Sequence, residues 1–175
     1  MEEVRPREIV IEVYTDSHQI TGCLSTKEGR LSDTLNFELP HIVVLTDVSG
    51  RPLEEPEASP ARRGLMHLNT MAIAFAVPRT PEPDLEERRE TRMFEYVEKE
   101  RHRVVVKIPP FRFEGHLYLP QGNDVERSLW NLTPAFIPLS DVRVTLSEHP
   151  EIAWRREIVV LNRRRAQIML PHEVE

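Results

Sequence analysis

The most constraining feature of this sequence is an internal duplication at a shift of 93–94 residues. The stretch PHIVVLTDV at residues 40–48 matches PAFIPLSDV at residues 134–142, and residues 62–78 match residues 155–171. Two further blocks are colinear with these, and they pair Ile20, Gly22, Leu24, Leu31 and Leu35 with Phe113, Gly115, Leu117, Val125 and Leu129. The chain is therefore predicted to hold two repeats, residues 1–78 and 104–175, joined by residues 79–103.

Each repeat has the hydrophobic pattern of β structure. Residues 9–14 alternate apolar and polar side chains and are rich in β-branched residues, which is typical of a half-buried strand. A second strand follows at residues 19–25, and the glycine inside it, Gly22 or Gly115, indicates a bulge, a sharp bend or a close backbone approach. A short helical turn comes next, then a third strand at residues 42–48. Residues 65–77 form either a fourth and a fifth strand or one long bent strand.

The predicted fold is mainly β with short helices, namely two small barrels or curled sheets joined by a helix. Residues 85–101 of the linker contain good helix formers throughout, and Glu95 and Lys99 stand four residues apart. Two roles stay open for this segment. It is either a connecting helix docked against one repeat or a helix that binds a partner.

The composition excludes several classes of protein. The net charge is −6, with −5 on residues 1–78, −1 on residues 79–103 and zero on residues 104–175, so the chain has no general attraction for nucleic acid or anionic lipid. No apolar run approaches the ~20 residues of a membrane-spanning helix. The single cysteine, Cys23, excludes an internal disulfide framework. A cytoplasmic protein that does not bind membranes is expected.

The order of strands in each repeat resembles the Sm-like small β-barrel. The resemblance rests on residues 11–24, on the strand 42–47 that ends in Asp, and on the step from Asn69 into residues 71–77. It implies architecture only, because the Arg-Gly-Asn turn of that family is replaced by Leu-Asn at residues 68–69 and 161–162. The heptapeptide RLSDTLN at residues 30–36, with a degenerate copy VERSLWN at 125–131, resembles a family of uncharacterised bacterial proteins and implies no activity.

Catalytic and metal-binding motifs are missing from the sequence. It contains no P-loop, no dinucleotide fingerprint and no Gly-x-Ser-x-Gly, and its seven histidines lack the spacing of a metal site. No catalytic residue, cofactor or metal is predicted. Asp47 and Asp141 are expected at strand ends, where they bond turn amides, and Asn69 and Asn162 are expected in left-handed turns.

One basic cluster distinguishes the second repeat. Three arginines replace Thr70, Met71 and Ala72 of the first repeat, two more lie eight positions earlier, and an aromatic side chain is adjacent. The cluster comprises Trp154, Arg155, Arg156, Arg163, Arg164 and Arg165. If these segments flank one hairpin, five guanidiniums form an anion or nucleic-acid patch. The alternatives are a solvated strand edge or salt bridges to the acidic first repeat.

Two hypotheses about function follow from these observations. The first is a non-enzymatic interaction or assembly module with a protein partner or with itself, since the repeat would leave strand edges free to pair. The second is a single-stranded nucleic-acid or RNA binder that uses the arginine cluster. An enzyme is not expected.

Overall fold

The computed structural model describes residues 6–27, 29–39, 41–81, 98–122 and 124–171. These residues are mainly β, as the sequence predicts. The strands of residues 6–81, which we call the first half, are β1 Arg7–Tyr14, β2 His18–Thr26, β3 Ile42–Pro52, β4 Ala61–Asn69 and β5 Phe75–Pro78. Those of residues 98–171, the second half, are β6 Lys99–Ile108, β7 Phe111–Pro120, β8 Phe136–Leu146, β9 Ala153–Asn162 and β10 Gln167–Met169.

Short helical segments interrupt the strands at matching places in the two halves. Between β2 and β3, helix α1 (Leu31–Asp33) continues into a π-helical turn, Thr34–Glu38. Between β7 and β8 stands helix α2, Val125–Trp130. A 3-10 turn follows β4 at Thr70–Ala72 and another follows β9 at Arg163–Arg165. Residues related by the sequence shift are called counterparts below.

All ten strands form one antiparallel sheet in the order β10-β6-β7-β8-β9-β5-β1-β2-β3-β4. The halves are therefore joined through a shared sheet and are not two separate barrels. Within each half the last strand lies beside the first, which gives the orders β5-β1-β2-β3-β4 and β10-β6-β7-β8-β9. The halves meet where β9 pairs with β5, and β4 and β10 form the two ends of the sheet.

Two hydrophobic cores lie against the sheet, and each contains residues from both halves. The core of the first half includes Phe136 and Val160 of the second half. The core of the second half includes Tyr14 and Phe75 of the first, both 1% exposed. Complete burial of a side chain of this size stabilises a fold by about 1.5–3 kcal/mol. The halves therefore depend on each other for core packing.

The predicted bulges at the strand glycines are confirmed. The register of β2 on β3 shifts between Thr21 and Cys23, and that of β7 on β8 shifts between Glu114 and His116. The extra residue on the facing strand is an aspartate, Asp47 or its counterpart, and both have a φ of 50°. Asp and Asn enter this left-handed region more readily than most residues.

The strand bounds and backbone angles correct two expectations. Asp47 and Asp141 do not end their strands, because β3 continues to Pro52 and β8 to Leu146. The left-handed conformation expected at Asn69 and Asn162 is wrong, since their φ angles are −65° and −78°.

The predictions for residues 65–77 and for the linker have different outcomes. Residues 65–77 contain two strands, β4 and β5, separated by a 3-10 turn. The helix predicted at residues 85–101 falls mostly on residues 82–97, which lie outside the described ranges. Its end is wrong, because residues 99–101 already belong to β6.

Candidate functional site at the sheet junction and edges

The central junction, our name for the contact of β5 with β9 and the side chains beside it, is made first by backbone pairing. Phe75 faces Leu161 and Ala76 faces Val160 in antiparallel register. The amide of Asn162 donates to the carbonyl oxygen of Ala74 at 3.0 Å, which lengthens the pairing by one residue. A short apolar strand in the first half therefore completes the edge of the second half.

Two asparagine side chains bond backbone groups across the central junction. The buried amide of Asn162 donates to the carbonyl oxygens of Thr70 at 3.3 Å and Ile73 at 3.0 Å. Asn36, the last residue of the heptapeptide, donates to the carbonyl of Phe136 at 2.8 Å and accepts from its amide at 2.9 Å. Sequence analysis assigned no such role to Asn36, because its partner lies 100 residues away.

A buried carboxylate supplies the charge at the central junction. Glu12, only 6% exposed, forms ion pairs with Arg156 at 3.2 Å and with Arg79 at 3.6 Å. The hydroxyl of Tyr14 donates to Glu12 at 3.0 Å. Burial, followed by the charge of Glu12, raises the pKa of Tyr14, and the charge of Arg156 partly opposes this. Tyr14 is therefore a neutral donor, and the cluster links β1 to β9.

Aromatic stacking completes the central junction. The rings of Tyr14 and Phe75 are stacked with centroids 4.1 Å apart, and Phe111 packs edge-on against Phe75 at 4.9 Å. Trp154 contacts Tyr14 at 5.7 Å. Trp154 is thus engaged in packing between the halves.

The two end strands of the sheet are counterparts of the two central strands, but each lacks the neighbouring strand that its counterpart has. Strand β4 is the counterpart of β9, and β10 is the counterpart of β5. Val160 and Leu161 are at most 1% exposed, whereas their counterparts His67 and Leu68 are exposed and half-buried. On β10, Met169 is 37% exposed, while Ala76 and Val77 are buried on β5.

One detail of β10 departs from the repeat. Tyr14 faces Phe75, but its counterpart Lys107 faces Gln167 rather than Ile168, so the register differs by one residue. Strand β5 is paired on both sides, whereas β10 is paired only with β6. Register is weakly specified at an edge that has a single partner.

The five arginines of the predicted patch do not lie together. Arg155 stands near the start of β9 and Arg163 just after its end, about 26 Å along an extended strand at ~3.3 Å per residue. They flank one strand and not one hairpin, so the condition stated for a patch of five guanidiniums is not met. Whether they bind nucleic acid stays a prediction.

Three of these arginines have structural partners. Arg163 donates to the carbonyl of Pro134 at 2.8 Å. Arg156 pairs with Glu12, and Arg165 pairs with Asp16 and donates to the carbonyl of Ala72 at 3.1 Å. Salt bridges to the first half, predicted as one alternative to an anion or nucleic-acid patch, are therefore present. Arg155 and Arg164 are exposed.

Comparisons with known proteins add no assignment. No family model matches the chain, and no match is found among curated proteins or among solved structures. In the ranges that the structure describes, no group of three or more metal-ligating side chains is suited to hold an ion. Within the same ranges, no helix combines the length and the apolar character needed to cross a bilayer.

Proposed function

We propose that this chain is a non-enzymatic assembly module that binds further copies of itself, with the β4 edge of one chain pairing with the β10 edge of the next. The observation that carries the proposal is the central junction, where the counterparts of these same two edges already pair. Interfaces of this head-to-tail kind generate closed rings when the rotation between units closes.

The exposed edges retain side chains that the central junction uses. Asn69 is the counterpart of Asn162, and its side-chain oxygen already caps the following turn by accepting from Met71 at 2.9 Å, as Asn162 does from Arg164. Beside β4, Ile42 is 51% exposed, whereas its counterpart Phe136 is 3% exposed because the first half covers it. Apolar surface on a free strand edge favours pairing with another chain.

We infer further that the halves are two copies of one Sm-like unit. The same succession of strands and helical turns in both halves supports this inference. So does the register around the strand glycines, where Ile11 faces Gly22 and Val104 faces Gly115. A duplicated unit that pairs with its copy inside the chain has the surfaces required to pair with a copy outside it.

The contact between chains would differ from the central junction in charge. The counterparts of Glu12, Tyr14 and Arg156 are Val105, Lys107 and Arg63. In place of a carboxylate between a tyrosine and an arginine, the interface would bring Arg63 near Lys107. Since like charges repel and salt screens exposed charges, self-association should strengthen as ionic strength rises.

The test is sedimentation velocity over a range of protein concentrations at low and moderate salt. The expected result is species at multiples of the 20.4 kDa chain, more populated at the higher salt. Met169→Lys should abolish them, because both candidate counterparts on β5 are buried and an unpaired ammonium is costly to bury. Tyr118→Lys, at a site on the interior strand β7 that is 48% exposed against 37% for Met169, is the control and should leave association unchanged.

A gain of association would be the more specific result. Val105→Glu combined with Lys107→Tyr places the residues of the central junction opposite Arg63, so the double variant should associate at least about tenfold more tightly. A monomer under all conditions, in both the wild type and the double variant, would overturn the proposal. Binding of nucleic acid that falls steeply with salt would instead support the arginine hypothesis.

A further inference from the structure

A hollow of about 660 Å³ lies on the second half and is lined by strand residues. Strands β6 to β9 form it around the bulge at Asp141. Four arginines line it: Arg103, Arg143, Arg155 and Arg156. Its size falls within the ~300–1,000 Å³ range of small-molecule sites.

The arginines of this hollow are in excess over the carboxylates that could neutralise them. Asp141 is held by Arg101 from β6, and Glu114 by Arg112 at 3.2 Å. Arg156 pairs with Glu12. Within the described parts of the chain, no ion pair is found for Arg103, Arg143 or Arg155, and Glu157 is the one carboxylate of the hollow without a cationic partner. The uncompensated charge is therefore positive.

Two of these guanidiniums stand directly opposite each other. Arg143 of β8 and Arg155 of β9 are register partners, so their Cβ atoms lie about 5 Å apart on one face of the sheet. Like charges in this position destabilise a sheet, and the one carboxylate directly opposite Arg143, Glu114 of β7, is bonded by Arg112. In the first half the corresponding pair is Ser49 and Arg62, which lacks this repulsion.

The fold itself does not require these charges. The counterparts of Arg103 and Arg143 are Val10 and Ser49, in strands of the same arrangement. Arg143 lies where β8 is paired on both sides, so it does not serve to block an open edge, whereas Arg103 and Arg155 lie outside the short pairings of β6 with β10 and of β9 with β5. Because the architecture does not need this repulsive pair, the simplest physical reason for it is an anion that binds between the two arginines.

We propose that this hollow binds a small phosphorylated molecule carrying two or more negative charges, of the size of a nucleoside diphosphate. Guanidinium groups bind phosphate oxygens in bidentate geometry, and Arg143 and Arg155 would share one phosphate group while Arg103 reaches a second. His116, opposite Arg103 in the sheet, adds a polar wall. This site is independent of the assembly edges, and it uses only Arg155 and Arg156 of the sequence-predicted cluster.

The test is isothermal titration calorimetry at low salt with inorganic pyrophosphate and with ADP as probes. Arg143→Ser and Arg103→Val introduce the residues of the first half. Each should weaken binding about 10- to 100-fold, as expected for the loss of charge-assisted hydrogen bonds. The matched control is Arg164→Met, which removes one positive charge outside the hollow and also introduces a first-half residue. It should bind as the wild type does.

A second readout separates binding from folding. Pyrophosphate should raise the melting temperature of the wild type and should leave that of folded Arg143→Ser unchanged. No binding of either probe at millimolar concentration would overturn the proposal, as would equal losses in the hollow variants and the control. Tighter binding of a single-stranded oligonucleotide than of ADP would overturn it in favour of a polymer. None of these outcomes depends on the oligomeric state.

Discussion

Asn69 and Asn162 show how one residue type acquires two roles from its surroundings. Both cap a 3-10 turn through the side-chain oxygen. Only Asn162 is buried, and its amide group donates to two carbonyl oxygens of the first half. The difference is set by which strand lies next to the asparagine and not by the local sequence.

This contrast yields a paired prediction. Asn162→Ala should lower the free energy of unfolding by about 1–3 kcal/mol, because it removes two buried hydrogen bonds across the central junction. Asn69→Ala should have a smaller effect on the isolated chain, since it loses only an exposed cap. Urea denaturation of both variants at low protein concentration measures the difference. Equal losses would contradict the role assigned to Asn162.

At the level of single residues, the sequence predicted which residue types are important better than where they lie in the fold. The arginine cluster was recognised as the chemical difference between the repeats, but its members could not be placed, because the path of β9 separates Arg155 from Arg163. The sequence did not indicate that Glu12 is a buried carboxylate, since a polar residue in an alternating strand is normally solvated. Its burial depends on Arg156, which is 144 residues away.

At the level of elements, the strand glycines allow the neighbouring strand to approach closely at each bulge. A Cβ atom on Gly115 would lie 3.0 Å from the carbonyl oxygen of Ser140 and 3.1 Å from Val142. Gly22 meets comparable neighbours, with the Cβ of Leu45 at 3.1 Å. The bulged strand therefore comes so close to β7 that no side chain fits between them.

We expect Gly115→Ala to destabilise the fold by about 1–3 kcal/mol, because the facing backbone must move to admit the methyl group. Gly64→Ala is the matched control, since a Cβ there meets nothing within 4 Å, and it should be neutral or slightly stabilising. Thermal unfolding of the two variants measures the contrast. A neutral Gly115→Ala would show that the bulge can relax.

Much of the element pattern was predictable. Alternation located β1, the strands predicted at residues 19–25 and 42–48 lie within β2 and β3, and the strand glycines correctly indicated bulges, because these features depend on neighbours close in sequence. The left-handed residues were assigned to the wrong positions, since Asp and Asn both favour that region and only the register of β2 on β3 places the extra residue at Asp47. The register of β10 was equally beyond reach, because a three-residue edge strand has few contacts to define it.

At the level of the whole molecule, the decisive contacts join residues about 86 positions apart, such as Phe75 and Leu161. Repeat analysis predicts two similar units but contains no information on whether their sheets merge. The shared sheet follows from an unpaired edge on each unit and from apolar residues that need cover, as Phe75 and Val160 do. For the same reason the free edges, which carry the proposed function, could be named from the sequence only in general terms.

Tryptophan fluorescence should report assembly. Trp130 on α2 is 89% exposed, while the matching helical turn of the first half bonds Phe136 across the central junction. In a head-to-tail assembly α2 would lie against Ile42 of the next chain. In a Trp154→Phe background, which leaves Trp130 as the single tryptophan, its emission should shift to the blue as concentration rises. Association without this shift would indicate a different interface.

The Glu12–Arg156 ion pair has a consequence for symmetry. In a closed head-to-tail assembly, joints with this ion pair would alternate with joints that lack it. The rotational symmetry would then equal the number of chains and never the number of halves, and every such ring would hold an even count of halves. On dilution or heating, the ring would dissociate at the joints that lack the ion pair and release whole chains, in which the two halves remain joined.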